Sequence, residues 1–184
     1  MKKEKLSLEE EKKLVEKAKD DANAFGTLYD MYIDDVYLYI FYKIGNEHDA
    51  EDLTARTFEK AMKAMQGYEW RGYTFGAWLY TIARNLILDR YKKKKLSISV
   101  EDVMTFTADV EIERVDEKAE REINAQKLMK KIAELPENQR EVIYLRYVKE
   151  LTIAETMEIT GRSIDSVKSL AKRGLKKLRE LMDN

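Results

Sequence analysis

The residues with the most legible chemistry lie between Thr152 and Arg173. Thr152-Ile153-Ala154-Glu155 is a capping box that starts a short helix. Thr160-Gly161-Arg162 reads as a turn in which Gly161 can take a left-handed conformation, and Ser163 caps a second helix. Ile153, Met157, Ile159, Ile164 and Val167 supply core faces, and Ala154 is small where two helices would cross. This spacing predicts a helix-turn-helix, a unit that lays its second helix in the major groove of duplex DNA. The outward positions of that helix are Arg162, Asp165, Ser166, Lys168, Ser169, Lys172 and Arg173. Short polar side chains suit base edges and long basic ones suit phosphates. Lys176, Lys177 and Arg179 suit either phosphate or the dipole of a helix end.

A second constellation runs from Tyr68 to Lys95. Tyr68, Trp70, Tyr73, Phe75, Trp78 and Tyr80 are interleaved with Arg71, and Arg84, Asn85, Arg90, Lys92, Lys93, Lys94 and Lys95 follow. Rings stack on unpaired bases while cations follow the backbone, which is the chemistry of single-stranded nucleic acid binding. Phe75 and Trp78 also sit at core spacing, where packing competes with base contact. Trp70 and Tyr73 fall in a loop, where packing explains an aromatic less readily.

Asp49, Glu51 and Asp52 open a helix. Acids in a first turn favour the helix dipole. Beside exposed Thr54, Arg56 and Lys60 they also form a candidate protein-docking face. His48 is the chain's one histidine and there is no cysteine, so thiolate sites and disulfides are excluded and no metal site is expected. No glycine-rich phosphate loop is present, and no nucleophile stands beside a base. We therefore expect no enzyme and no cofactor. A magnesium-dependent nuclease built on Asp49, Glu51 and Asp52 is the enzymatic rival.

Helices must position these residues. One proline and seven glycines among 184 residues leave few helix breakers. Ser7-Leu8-Glu9-Glu10 is another capping box. Phe25, Leu28, Tyr29, Tyr32, Val36, Ile40, Phe41 and Ile44 keep a three-four spacing, predicting a helix from about Ala22 to Ile44 that Gly45-Asn46 ends. A third helix is expected from about Glu47 to Met65, with Ala50, Leu53, Thr57, Phe58, Ala61 and Met65 inward. Gln66 to Tyr73 reads as a loop. Thr74 caps a fourth helix with Phe75, Trp78, Leu79, Ile82, Leu86 and Tyr91 at helical spacing. Leu96 to about Val115 loses periodicity, which resumes from Asp116 to Ile132, and Pro136 fits the first turn of a further helix. The predicted fold is all-α: two small helical domains, residues 1–95 and 119–184, joined by an acidic linker at 96–118.

Charge is segregated along the chain. The net formal charge is −1, yet Arg84–Lys95 carries +5, Val100–Glu122 carries −6 and Gly161–Asn184 carries +4. Basic segments attract phosphate whatever the net charge. No apolar run approaches the roughly 20 residues needed to span a bilayer, and the charged N-terminus has no apolar signal core. A cytoplasmic protein without membrane association is expected.

Two blocks resemble a known family. Asp49-Ala50-Glu51-Asp52-Leu53-Thr54-Ala55-Arg56-Thr57-Phe58, with Ala77-Trp78-Leu79-Tyr80-Thr81-Ile82-Ala83-Arg84-Asn85-Leu86-Ile87-Leu88-Asp89-Arg90, resembles the second conserved region of bacterial sigma factors. Leu135-Pro136-Glu137-Asn138-Gln139-Arg140-Glu141-Val142, with Val167-Lys168-Ser169, Arg173 and Leu175-Lys176-Lys177-Leu178, is similar to their fourth region. The order and the short linker resemble the extracytoplasmic-function (ECF) subgroup. The resemblance implies a promoter-specificity subunit that binds core RNA polymerase through its β′ clamp helices and β flap. It implies reading of minus-thirty-five and minus-ten promoter DNA, and control by an anti-sigma factor.

Carried onto this sequence, Asp49, Glu51, Asp52, Leu53, Arg56 and Lys60 would dock on polymerase. Gln66 to Thr74, with Trp70, Arg71 and Tyr73, matches the loop that receives a flipped base. Trp78, Arg84, Asn85, Arg90, Lys92 and Lys93 would face minus-ten DNA. Arg162, Ser163, Asp165, Ser166, Lys168, Ser169, Lys172 and Arg173 would face the minus-thirty-five element. Leu170-Ala171 departs from the Arg-Leu common in the family, which removes one cation. A stand-alone helix-turn-helix regulator is the rival reading; it predicts tight duplex binding without polymerase.

The −6 segment lies between the two basic ones, so it can fold over them and suppress DNA binding by the free chain. Neutralising its acids is then expected to raise promoter affinity of the free protein in a filter-binding titration. Unchanged affinity would contradict the idea.

Overall fold

A computed structural model describes residues 6–97 and 127–183. They form two compact units, one on either side of the intervening segment, and are considered separately. Leu96 and Ser97, expected to open the linker, continue the helix before them instead; the rest of the expected linker, its acidic charges and the onset of periodicity at Asp116 lie outside the described residues.

In the first unit, helix α1 spans Leu8–Ala18, where Ser7 and Glu10 complete the capping box: the Glu10 amide donates to Ser7 Oγ and the Ser7 amide to Glu10 Oε2. The Ser7 hydroxyl also donates to Glu10 Oε2 at 2.6 Å, and this bond, followed by that from the Ser7 amide, holds the Glu10 carboxyl below its usual range. Helix α2, Ala22–Ile44, is capped by Asp21, which accepts from the Asn23 amide at 2.8 Å. It stops at Gly45, whose φ of 69° is the left-handed conformation that glycine adopts without strain. Asn46 caps helix α3, Glu47–Ala64, and a tight turn at Met65–Gly67 follows. Helix α4 spans Phe75–Ser97.

The single apolar stripe expected on α2 is too narrow. That helix packs against α1, α3 and α4, so Tyr39 is also buried, edge-on to Tyr80 at 5.1 Å, whereas Tyr29 is 40% exposed. On α4 the buried set is Phe75, Ala77, Leu79, Tyr80, Ala83, Leu86 and Ile87. Trp78 and Ile82 are half-buried. Tyr91, expected inward, lies at the surface with its hydroxyl donating to the Lys43 carbonyl at 2.9 Å. The expected inward residues of α3 are buried, but so is Thr54, expected exposed on the docking face: it is 3% exposed and its hydroxyl donates to the Ala50 carbonyl at 2.6 Å, a bond that holds it against its own helix.

In the second unit a helical stretch, α5, occupies 127–133. Helix α6 spans Glu137–Ile143, and Pro136 stands at its N-cap, one place before the first turn in which it was expected. The chain then widens into a π-helical turn, Tyr144–Val148, before helix α7, Ile153–Thr160, and helix α8, Ile164–Met182. Thr152 and Glu155 form the predicted capping box, Gly161 takes φ 65°, and Ser163 accepts from the Ser166 amide at 3.3 Å. Two small cores result. Ile132, Leu135, Ile143 and Leu178 make one. Val142, Val167, Leu170 and Ala171 make the other, with Ile153 and Met157 against it.

Two expectations fail here. Ala154 is exposed, and so is Ile164, at 43%. The close approach is made instead by Gly174, where an added Cβ would stand 2.6 Å from Ile143 Cγ1. No strand occurs among the described residues, and no described helix is long and apolar enough to cross a membrane.

Glycines therefore test the packing from both sides. Gly174→Ala is expected to destabilise by about 1–3 kcal/mol, because Ile143 is buried and must shift. Gly26 lies within α2, where an added Cβ would meet nothing within 4 Å; Gly26→Ala should stabilise the first unit by about 0.5–1 kcal/mol. Trp70 and Trp78 both belong to the first unit, so denaturation followed by tryptophan fluorescence isolates the second effect and far-ultraviolet circular dichroism reads the first.

Candidate nucleic-acid interface

Helix α8 is two-faced. Val167, Leu170, Ala171, Gly174 and Leu178 are buried, while Asp165, Lys168, Ser169, Lys172 and Arg173 are exposed. Ser163 is exposed, but its hydroxyl is engaged as the cap, and Ser166 is half-buried. Arg162 is half-buried and donates to Asn138 Oδ1 at 2.5 Å, tying the turn back to α6. Position 170 lies in the core, 7% exposed. Leu170 thus contributes packing, and the outward face loses no cation through the Leu170-Ala171 departure. Beside this face, Arg173, Lys176 and Lys177 line an open groove of about 220 Å³ with Pro136, Gln139 and Glu180.

In the first unit the aromatic segment is partly consumed by packing. Trp78 lies 4.4 Å from Tyr68 and 5.4 Å from Phe75 between ring centroids, and Tyr68 meets Phe75 edge-on at 5.9 Å. One flank of Trp78 is therefore engaged within the protein. Trp70 and Tyr73 are half-buried, and Arg71 and Asn85 are exposed. Arg84 is half-buried. Lys92 and Lys93 are exposed, with Lys92 4.0 Å from Asp89.

A carboxylate that sequence spacing passes over organises this cluster. Glu11 is 3% exposed and accepts from the Tyr32 hydroxyl and, at 3.0 Å, from the Phe75 amide at the start of α4. The helix N-terminus favours that negative charge. An added Cβ on Gly76 would stand 2.7 Å from the Tyr32 ring, so glycine permits the approach of α4 to α2. Glu11 hides in an acidic run, yet it shares the inward face of α1 with Val15 and Ala18, four and seven residues on, and that phase is the signal. Burial, then the charge of Glu11, pushes the Tyr32 hydroxyl above its ordinary range. The same causes push Tyr68 up to about 12, and burial raises Tyr80.

The acidic start of α3 divides into two. Glu51, Asp52, Arg56 and Lys60 are exposed, with Arg56 3.4 Å from Asp52. Leu53 is 1% exposed and belongs to the core, so its side chain cannot meet a partner directly. Asp49 forms an ion pair with Arg90 of α4. The fold thus joins one residue expected at polymerase to one expected at minus-ten DNA, a pairing across 41 positions that spacing does not reveal. Among the described residues no group of three or more His, Cys, Asp or Glu is placed to hold a metal ion.

Comparison with known proteins gives this geometry its context. Residues 28–96 match the family Sigma-70 region 2, and residues 125–178 match Sigma-70, region 4. The chain is 30% identical to the ECF RNA polymerase sigma factor SigW of Bacillus subtilis over 178 residues, covering 92% of this chain and 94% of that one. The chain belongs to the ECF sigma factors. It is also 37% identical to the ECF RNA polymerase sigma factor BldN of Streptomyces coelicolor over 171 residues, 92% of this chain but 64% of BldN. In fold, this sigma factor is similar to RpoE of Bartonella quintana, solved in complex with the anti-sigma factor NepR: TM-score 0.65, 23% identity, covering 86% of this chain and 96% of that chain. Sigma factors are promoter-recognition subunits and not enzymes, so nothing in the comparisons favours the nuclease or the free-standing regulator.

The raised tyrosines set an alkaline limit. A hydroxyl whose folded-state value is raised stabilises the fold fully below the unfolded value of about 10 and loses that contribution as pH rises through the folded one. Tyr32, Tyr68 and Tyr80 should therefore stay protonated until the first unit unfolds above about pH 10. Ultraviolet titration is expected to show a tyrosine class that ionises together with loss of the tryptophan signal. Smooth titration of every tyrosine near 10 with the fold intact would contradict this.

Proposed function

We propose that this chain is the promoter-specificity subunit of an RNA polymerase and acts in the cytoplasm, with residues 1–95 and 119–184 as its two working domains. The observation that carries the reading is the outward face of α8. Behind a capped turn it offers short polar and long basic side chains opposite a continuous apolar face, as major-groove recognition requires.

In this reading Asp165, Ser166 and Ser169 meet base edges of the minus-thirty-five element, and Lys168, Lys172 and Arg173 meet its phosphates. Ser163 and Arg162 act from behind, one as the helix cap and the other through Asn138. Minus-ten DNA is taken by Trp70, Arg71 and Tyr73, with Trp78, Arg84, Asn85, Lys92 and Lys93 along α4. Stacking of unpaired bases on such rings offsets the few kcal/mol that each unstacked step costs. Glu51, Asp52, Arg56 and Lys60 dock on the β′ clamp helices. Asp49 and Leu53 support that surface, Asp49 by holding Arg90. The second domain meets the β flap. Two weak DNA sites carried on one chain gain affinity by effective concentration once polymerase places both. An anti-sigma factor is the further partner that family membership supports.

Co-migration with core RNA polymerase tests the docking surface. Glu51→Lys with Asp52→Lys should abolish the complex that the wild-type chain forms; an undiminished complex would contradict the assignment. With the holoenzyme, Lys168→Ala and Lys172→Ala should each weaken promoter binding evenly across sequences. Each should also lower the slope of log affinity against log salt by about 1. Changes at Ser169 should instead alter the preference between sequences.

A further inference from the structure

The loop 68–74 has no regular secondary structure. Its backbone bends through Gly72 at φ 79°, where the space around the glycine is open. Such a loop can hold a base only if its ends are fixed, because misplacement of binding groups by an ångström is costly. Both ends are fixed to the same helix. At the entry, the Gln66 side-chain amide donates to the Lys19 carbonyl, just past the end of α1, and lies 3.4 Å from Asp20 Oδ1. At the exit, the Phe75 amide donates to Glu11 Oε1 at 3.0 Å, from the middle of α1. Between these points Tyr68 packs on Phe75 and Trp78, so the rings within the span are referred to the same support.

We propose that α1 is the positioning element of the strand-capturing loop, acting through Glu11 and Gln66 at its two ends. The proposal rests on the reading of this loop as the minus-ten contact. Neither residue touches DNA. Glu11 sets the first turn of α4, and with it Trp78 and the exit of the loop. Gln66 sets the entry, two residues before Tyr68. Trp70, Arg71 and Tyr73 project from a span whose ends are both tied to α1. Glu11 is buried where water cannot replace its bonds, whereas Gln66 is exposed. The two anchors therefore differ in what their loss does to the fold, although they act on one loop.

The test uses the full chain bound to core RNA polymerase. The probes are a pool of duplex fragments with a short mismatched bubble of random sequence and the same pool fully paired. Glu11→Ala and Gln66→Ala should each reduce bubble capture, by roughly tenfold for the charge-assisted bond of Glu11 and roughly fivefold for the neutral bond of Gln66. Affinity for core polymerase and for the paired pool should change by less than about twofold, since the residues assigned to those surfaces belong to other elements, α3 and α8. Glu11→Gln keeps a carbonyl acceptor for the Phe75 amide and should recover most of the loss, whereas Glu11→Met fills the same space without that acceptor and should not. In the DNA-free protein, tryptophan anisotropy decay should show faster local rotation in both alanine variants. If Glu11→Ala fails to fold, Gln66→Ala carries the test alone, because its side chain is exposed. Alanine variants that are folded and capture the bubble as tightly as wild type overturn the proposal. A wild-type holoenzyme that prefers the paired pool overturns the reading of the loop itself, and the proposal with it.

Discussion

The buried carboxylate of Glu11 is the constraint on which the first unit depends. An ionised acid in a protein interior costs several kcal/mol unless its lone pairs are satisfied. Here they accept from the Tyr32 hydroxyl on α2 and the Phe75 amide at the start of α4. Charge-assisted bonds of this kind are stronger than neutral ones, and a helix N-terminus adds a favourable field. The same three-way meeting requires α4 to approach the Tyr32 ring closely, which glycine at position 76 allows. Ring packing among Tyr68, Phe75 and Trp78 then builds on a fixed α4 start. Removing the carboxylate takes an acceptor from the Tyr32 hydroxyl and the side-chain acceptor from the Phe75 amide.

The second unit positions its recognition helix by other means. Capped helix ends and small side chains do the work: Thr152 with Glu155, Gly161 and Ser163 define the turn, and Gly174 brings α8 onto Ile143. Each cap is worth about 1 kcal/mol, a large fraction of what so small a core supplies. The exposed residues of α8, Asp165, Lys168, Ser169, Lys172 and Arg173, consequently stand clear of the packing, whereas Arg162 and Ser163 before it are committed to Asn138 and to the helix cap. A recognition surface of this design can vary in its outward residues while its support stays the same. Leu170 illustrates the separation, since its departure from the family pattern falls entirely on the packing side.

Local features were legible in the sequence. Capping boxes at Ser7 and Thr152, the left-handed glycines at 45 and 161, the helix-turn-helix and the acidic opening of α3 all follow from a few neighbouring residues. What depends on distant neighbours was not. The phase of α4 moves toward Tyr80 and Ile87 because two helices flank it, and α2 buries Tyr39 because three helices surround it. Ile164 and Ala154 carry the right residue types for a core and lie outside it. Asp49 and Arg90 were each visible as charged candidates, but their union was not. Glu11 was the hardest to see, because an acid in a run of acids looks solvated until its helical phase is compared with Val15 and Ala18.

The central claim is that this chain directs RNA polymerase to particular promoters. The most direct measurement is run-off transcription by purified core RNA polymerase on a pool of genomic promoter fragments, with and without the chain. The account predicts discrete transcripts that require the chain, whose start sites share two upstream sequence elements at constant spacing. Transcripts that are absent or unchanged, together with tight binding of the chain alone to duplex DNA, would contradict it.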